Sequence, residues 1–450
     1  MQPSTLLALL SVATFSAAGP VPVSPRNANG SAFDSLGVEN PLDSLRQWAL
    51  SIERPARFAK TESAILDSVG KTLGDAAASI GFEGMPPWSN TQITNTSTSL
   101  SDIAAAAIRK LMGMRKDDGS FDDIGWWQTA NAYTAATAYD RYRGGKTFHN
   151  EVTGGISSLI QKGPGSEFAM RGPGLRNEFN DDSLWWTLTC LDATETYGNG
   201  RFQAEGQNLW KWVKDTSFIT QTGIAPNMGG VQRTYALSDQ CSLEHGVYWT
   251  SNVDETYVNS ITTGLMMQAS ARLGTVDTAL KNQHWLKSHT VDGSLVNRDG
   301  VEGNTCAVNS GAYSYNTGVY IAALTKLFQD TSNVMFIAEA EEAAAAAMET
   351  TAWTDGQGMI TESMDQRSGD GISFKCVLLR ALTKLYTVSS NAAIKKEIQG
   401  FVNVNYNSLY NKARRGDAYD TNWNGPFQEE SAAGQFVAID LLVAGMVVNA

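Results

Sequence analysis

From about residue 99 onward, apolar positions recur with the period of a helix, in blocks broken by Gly, Asn, Asp and Pro, and period-two alternation is almost absent. The blocks predict twelve helices, beginning near residues 99, 126, 148, 180, 202, 255, 276, 313, 333, 370, 391 and 429. Two kinds take turns. The runs Trp127–Tyr142, Ser183–Tyr197, Tyr257–Leu273, Tyr315–Phe328 and Ile372–Tyr386 are apolar or small nearly all round, as a helix covered on two sides must be. Those between them, such as 333–350 and 391–410, carry more charge. The buried type returns every 54 to 75 residues, which is a repeat of helix pairs and not of sequence. Twelve helices in that alternation predict an all-α chain folded as an (α/α)6 toroid of six helix hairpins, with an irregular bundle as the alternative. The last block, Phe436 to Val448, is apolar enough to suggest the tail of a GPI signal. Asp440 interrupts it, however, and no polar spacer with a small cleavage site precedes it, so it reads as the last core helix.

The chain upstream of residue 99 has a different texture. Leu6 to Ala13 is a short apolar run, followed by Ser16-Ala17-Ala18, which predicts a signal peptide over residues 1–18 with cleavage after Ala18. The run is too short to span a bilayer. Residues 19–98 read as a leader and N-terminal helical extension: 19–40 are rich in Pro, Ser, Gly and Asn, amphipathic helices are predicted around Leu42–Ile52 and Ser63–Ile80, and Pro86-Pro87-Trp88 follows. The extension either packs on the toroid or is a propeptide. Residues 99–450 then form the (α/α)6 catalytic domain. Sequons at Asn29 and Asn95 fit a secreted, extracellular or cell-wall protein.

Charge narrows the partners. With 34 Lys and Arg against 46 Asp and Glu, the formal net charge of −12 argues against nucleic acid or an anionic membrane surface, both of which need a basic face. A neutral or weakly charged substrate suits it better, and 12 Trp, 14 Tyr and 16 Phe supply platforms for the apolar faces of sugars as well as core. No membrane insertion is expected, and a monomer without metal or cofactor is the simplest assembly. Of the four cysteines, Cys241 and Cys306 lie in polar loops while Cys190 and Cys376 lie inside apolar helical runs, so the favoured bridge is Cys241–Cys306.

Chemistry needs polar groups where a core should be apolar. Asn180-Asp181-Asp182-Ser183-Leu184-Trp185-Trp186 leads straight into a buried-type helix. Two successive carboxylates beside two tryptophans are costly to bury. One reading is a helix cap, in which Asn180 or Asp181 satisfies free N–H groups; it accounts for one acid and leaves the second unexplained. The other is glycoside hydrolysis, in which one carboxylate attacks the anomeric carbon and its neighbour protonates the leaving oxygen. A retaining enzyme holds the two groups about 5–5.5 Å apart, a span that adjacent side chains at a helix start can reach. Trp126-Trp127-Gln128, Tyr248-Trp249, Tyr313-Ser314-Tyr315-Asn316 and Phe374-Lys375 also fall where buried-type helices begin. In a toroid these starts share one mouth, so Trp127, Gln128, Asn180, Trp185, Trp186, Trp249, Tyr315, Asn316, Phe374 and Lys375 are candidate substrate-binding residues.

The run Asn180-Asp181-Asp182-x-x-Trp185-Trp186 resembles the signature of glycoside hydrolase family 76, the endo-α-1,6-mannanases and related fungal cell-wall proteins. Trp126-Trp127-Gln128-x-Ala130, Gly246-Val247-Tyr248-Trp249, Asn259-x-Ile261-x-x-Gly264-Leu265, Tyr315-Asn316-x-Gly318-Val319 and Phe374-Lys375 resemble further family stretches in the same order. The resemblance runs from about Ser101 to Gly445 and implies an (α/α)6 fold, a retaining mechanism on α-1,6-mannan, Asp181 as nucleophile and Asp182 as acid/base. It also places Cys241 and Cys306 where fungal members carry a cysteine pair. Two positions depart from the family pattern: Cys376 follows Phe374-Lys375 where Gly is common, and Thr187 replaces a small residue.

Rival readings are less well supplied. The aspartate pair lacks the third acid of the Mg²⁺ motif of terpene and prenyl enzymes. His149, His245, His284 and His289 have no metal-ligand spacing, and no Gly-x-Ser-x-Gly run supports a serine nucleophile. A cell-wall transglycosylase acting on GPI-core mannan, and a non-catalytic glycan-binding protein on the same scaffold, remain the alternatives to a hydrolase.

Overall fold

The computed structural model describes residues 85–94, 98–163, 174–220 and 242–450. The expected signal peptide, the two helices expected in the N-terminal extension, both sequons and Cys241 lie outside the described residues.

Twelve α-helices are present among the described residues. They are α1 (Leu100–Gly113), α2 (Trp126–Arg143), α3 (His149–Lys162), α4 (Asn180–Tyr197), α5 (Gly200–Ser217) and α6 (Ser260–Arg272), then α7 (Val276–His289), α8 (Ser314–Thr331), α9 (Val334–Glu349), α10 (Phe374–Val388), α11 (Ala392–Lys412) and α12 (Ala432–Val448). The even-numbered helices pack each on the next, and α12 returns to α2, closing an inner ring. Around it, α1 packs on α12, α3 on α2, α5 on α4, α7 on α6 and α9 on α8. This is the (α/α)6 toroid that the alternation of helix types predicts.

The inner helices bury almost every side chain, and α12 is buried from Ala432 through Met446. Its apolar run is therefore core, and no described helix is long and apolar enough to cross a membrane. Close approach within the ring is made possible by small residues. A Cβ on Gly318 of α8 would stand 2.9 Å from the backbone of Leu378 in α10, so any side chain there would force these helices apart. Side-chain caps start two of the outer helices and the last inner one: Asn199 accepts from the Arg201 N–H before α5, Asn333 from Met335 before α9, and Ser431 from Gly434 before α12.

Strands are the main departure from the sequence reading. The helix expected from 255 begins at Ser260, because residues 257–259 extend as β1 and the Asn259 side chain accepts from the Thr262 N–H to start α6. β1 (Tyr257–Asn259), β2 (Arg298–Glu302) and β3 (Val308–Ala312) form an antiparallel sheet in that order. Tyr257 lies opposite Glu302, and Val301 opposite Val308, with a bulge between Arg298 and Gly300. Gly, Asp, Asn and Ser interrupt these strands, so no apolar alternation marks them. A short pair, β4 (Arg414–Arg415) and β5 (Ala418–Tyr419), follows α11.

Residues 86–94 pack on α11. Trp88 is buried edge-on against Phe401, with ring centres 5.7 Å apart. The Asn403 side chain donates to the Thr91 carbonyl at 2.9 Å, and that of Asn407 donates to Gln92 at 2.8 Å and accepts from the Thr94 N–H at 2.9 Å. Cys190 and Cys376 are free and buried, inside α4 and α10.

Candidate active site

The N-terminal ends of α2, α4, α8 and α10 open into a cleft of about 660 Å³, walled on one side by residues of the three-stranded sheet. Its aromatic lining is continuous. Trp127 stacks on Trp185 at 5.6 Å and on Phe374 at 6.2 Å, and Phe374 stacks on Tyr315 at 4.0 Å. Such faces suit the C–H surfaces of sugar rings, while the ring edges hold polar partners.

Asp181 and Asp182 occupy the first turn of α4, which begins at Asn180 with Phe179 in the cap position and no side-chain cap. Asp181 Oδ1 accepts from the Asp182 backbone N–H at 3.0 Å, so it satisfies one orphan donor of the helix. Its other oxygen accepts from Trp249 Nε1 at 3.1 Å. Asp182 Oδ2 accepts from the Asn177 amide at 2.6 Å. Both carboxyls line the cleft. The cap reading thus holds for one oxygen of Asp181, and Asp182 serves no helix end.

Burial pushes the Asp181 carboxyl up to about 7; the two N–H donors pull the other way, and the charge of Asp370 adds to the rise. Asp182 stands well above the usual carboxylate range, through burial first and then the charge of Asp181, with the Asn177 bond opposing and Asp370 adding. Asp181 has two donors and Asp182 one, so the negative charge of a singly ionised pair rests on Asp181 and the proton on Asp182.

Of the other residues singled out by sequence, Trp127, Trp185, Trp249, Tyr315 and Phe374 line the cleft. Five lie behind it. Asn180 donates to Ser217 Oγ and to the Tyr248 carbonyl, both at 2.8 Å, fixing the start of α4. Gln128 accepts from the Gly125 N–H and donates to the Gly369 carbonyl and Ser373 Oγ, tying α2 to the 3-10 turn Asp370–Ser373 before α10. Trp186 is fully buried against Trp126 at 5.1 Å. Asn316 is 1% exposed beneath the floor, and Lys375 is 2% exposed. Lys375 donates to the Thr421 carbonyl at 3.0 Å and lies over the Trp423 ring, with burial holding its pKa below that of an ordinary lysine.

Residues 98–448, more than three quarters of the sequence, match the family described as Glycosyl hydrolase family 76. The chain belongs to that family. A relative from Schizosaccharomyces pombe, named "Putative mannan endo-1,6-alpha-mannosidase", is 27% identical over 225 residues, 46% of each chain. The match thus spans about half the length of that curated relative. Among solved structures, the family 76 alpha-1,6-mannanase of Salegentibacter sp. HEL1_6 superposes with a TM-score of 0.63 at 20% identity, covering 78% of this chain and 100% of that one. A variant of it with two aspartates replaced by alanine, described as inactive and bound to alpha-1,6-mannotetrose, superposes with a TM-score of 0.65 at 18% identity, over the same shares of the two chains. Dfg5 from Chaetomium thermophilum, in complex with glucosamine, superposes with a TM-score of 0.62 at 15% identity, covering 80% of this chain and 92% of that one. These likenesses establish the toroid.

This family 76 chain also has cleft residues that sequence reasoning passed over, notably Phe179, Tyr257, Asp299 and Asp370. Asp370 precedes Phe374 by one helical turn and accepts from Trp127 Nε1 at 2.7 Å; its nearness to the Phe374-Lys375 pair is a usable signal. Asp299 sits in a polar run that reads as surface loop. It reaches the cleft only because β2 pairs with β1, where Tyr257 donates its hydroxyl to Asp299 at 2.6 Å.

Proposed function

We propose that the protein is a secreted, retaining endo-α-1,6-mannosidase with Asp181 as nucleophile and Asp182 as acid/base. The observation that carries the reading is the unequal hydrogen bonding of two adjacent carboxylates at an aromatic cleft: two donors hold Asp181 as the anion, and one amide holds Asp182. In the first step Asp182 protonates the glycosidic oxygen as Asp181 attacks the anomeric carbon, giving a glycosyl-enzyme ester. In the second, Asp182 takes a proton from water, and the hydroxide adds to the anomeric carbon and frees Asp181. Trp249 and the Asp182 N–H hold the carboxylate of Asp181 in position, and the stacked rings of Trp185, Trp127 and Phe374 support neighbouring mannose units. The family match and the Salegentibacter variant lacking two aspartates support the same reading. A Cys241–Cys306 bridge belongs to it, since the other two cysteines are free and buried.

One feature favours transglycosylation onto an amino-sugar-bearing glycan as a second reading. The cleft lining holds Asp181, Asp182, Asp299 and Asp370 and, among the described residues, no lysine or arginine. An ammonium group would be welcome there, and the Chaetomium structure holds glucosamine.

Incubation with linear α-1,6-mannan, with product analysis by mass spectrometry and NMR, separates the readings. Shorter oligosaccharides released with retained anomeric configuration support hydrolysis, longer products support transfer, and no change with measurable binding points to a binding protein. Asp181→Asn and Asp182→Asn are each expected to lower kcat by at least about 10³-fold, with Asp182→Asn partly spared on a mannoside with a good leaving group. Wild-type turnover in either variant would remove that residue from its role.

A further inference from the structure

Asp370 is the third carboxylate of the cleft and takes no part in the two steps above. It opens the 3-10 turn before α10, follows Gly369, which has a φ of 87°, and is exposed to the cleft. Its position is fixed from two sides. Trp127 Nε1 donates to Oδ1 at 2.7 Å, and Gln128 grips the preceding carbonyl, that of Gly369, at 3.0 Å. The start of α2 therefore holds a negative charge at a set place facing the start of α4, and no cation in the cleft lining answers it among the described residues.

Other ionisable groups around the aspartate pair are engaged elsewhere. Tyr257 and Asn309 both donate to Asp299 on the sheet. Glu362 accepts from the Ser314 N–H at the start of α8, and Lys375 faces Thr421 and Trp423. Tyr315 of α8 is a phenol whose pKa burial pushes well above its ordinary value, so it carries no charge at physiological pH. Asp370 is left as the fixed charge shared by both aspartates, and its field favours the protonated form of each.

We propose that Asp370 is a positioning residue that sets the pH range of the reaction, acting through the Asp181–Asp182 pair and without touching the bond that breaks. The proposal rests on the assignment of the pair as catalytic. A negative neighbour keeps the proton on Asp182 to higher pH and delays ionisation of Asp181. Removing it lowers both ionisations, so both limbs of a bell-shaped profile move to lower pH together.

The test is the pH dependence of kcat/KM on α-1,6-mannan for the full chain and for Asp370→Asn, Asp370→Glu and Trp127→Phe. Asp370→Asn is expected to shift both limbs downward by roughly half a unit to one unit, whatever its effect on KM. Asp370→Glu, which keeps the charge, should restore the limbs toward those of the wild type even if KM changes. Trp127→Phe, which frees the carboxylate but leaves its charge, should shift them less than Asp370→Asn. An active Asp370→Asn with unmoved limbs overturns the proposal and leaves the catalytic pair standing. Complete loss of activity in a variant that unfolds at the wild-type temperature overturns it too, because Asp370 would then act on the substrate directly. If the wild-type protein cleaves no mannan, it is the assignment of the pair that fails.

Discussion

The two ends of the toroid's axis place buried aspartates in opposite circumstances. At the mouth, Asp181 and Asp182 meet indole, amide and other carboxylates, and their pKa values rise. Towards the far ends of the inner helices, Asp192 of α4 lies between Arg141 of α2 and Arg272 of α6, at 3.0 Å from the latter. Burial works to raise Asp192 as well, but the two guanidinium groups outweigh it and hold it at about 2. Asp440, midway along α12, meets the single guanidinium of Arg380 of α10, which also donates to Asn131 of α2 at 2.6 Å; there burial outweighs the one cation and lifts the carboxyl above its ordinary range. The same helix, α4, thus carries an acid deprived of counter-charge at one end and an acid supplied with it at the other. What divides chemistry from architecture here is the partner, since burial is common to both.

That contrast breaks most visibly at the far end. Arg272→Met leaves Asp192 with one guanidinium in a site where the Asp192 side chain is 9% exposed, and is expected to cost about 3 kcal/mol in urea unfolding, with kcat unchanged for the folded fraction. A loss of activity without a loss of stability would mean that the two ends are coupled. At the mouth, Trp249→Phe removes one of two donors to Asp181. It should lower kcat/KM by about 10- to 100-fold, roughly 1.4–2.7 kcal/mol, and move the acid limb upward. An unchanged acid limb would show that the indole does not stabilise the anion.

The smallest effect concerns stability. Asp181 has a folded pKa raised from 3.8 to about 7, so its contribution to stability is complete below about pH 4 and is lost as pH rises through 7. Asp192 has its pKa lowered from 3.8 to about 2; its contribution is present above about pH 4 and is lost as pH falls toward 2. Asp181→Asn should therefore melt one to a few degrees higher than the wild type at pH 8, and the gain should vanish near pH 4. A gain that is the same at both pH values would place its origin in packing and not in charge.

Much of this arrangement was legible in the chain. Helices covered on two sides reveal themselves by being apolar all round, and helix starts by paired aromatics, so the ring and the aspartate pair follow from local pattern. The five predicted contact residues found behind the cleft show the limit. Gln128, Asn180, Trp186, Asn316 and Lys375 adjoin residues that line it, and a helix turns about 100° per residue, so the neighbour of a cleft residue faces another way. Asp299 was beyond reach for a different reason: its approach depends on the pairing of β2 with β1, and Gly300, Asp299 and Asn309 give those strands no apolar rhythm.

The closure of the inner ring has a consequence for the order in which the molecule can be made. Helix α12 touches α1, α2 and α10, and Gln435 at its start donates to the Ala107 carbonyl across 328 positions of sequence. Until α12 has been synthesised, roughly 300 residues after α2, the ring is an open arc with apolar flanks on α2 and α10. At about 5–20 residues per second that exposure lasts roughly 15–60 s. The cleft, whose lining is drawn from both sides of the gap, is complete only when α12 has joined α2 to α10, so a nascent chain bears Asp181 and Asp182 well before it has the cleft they line.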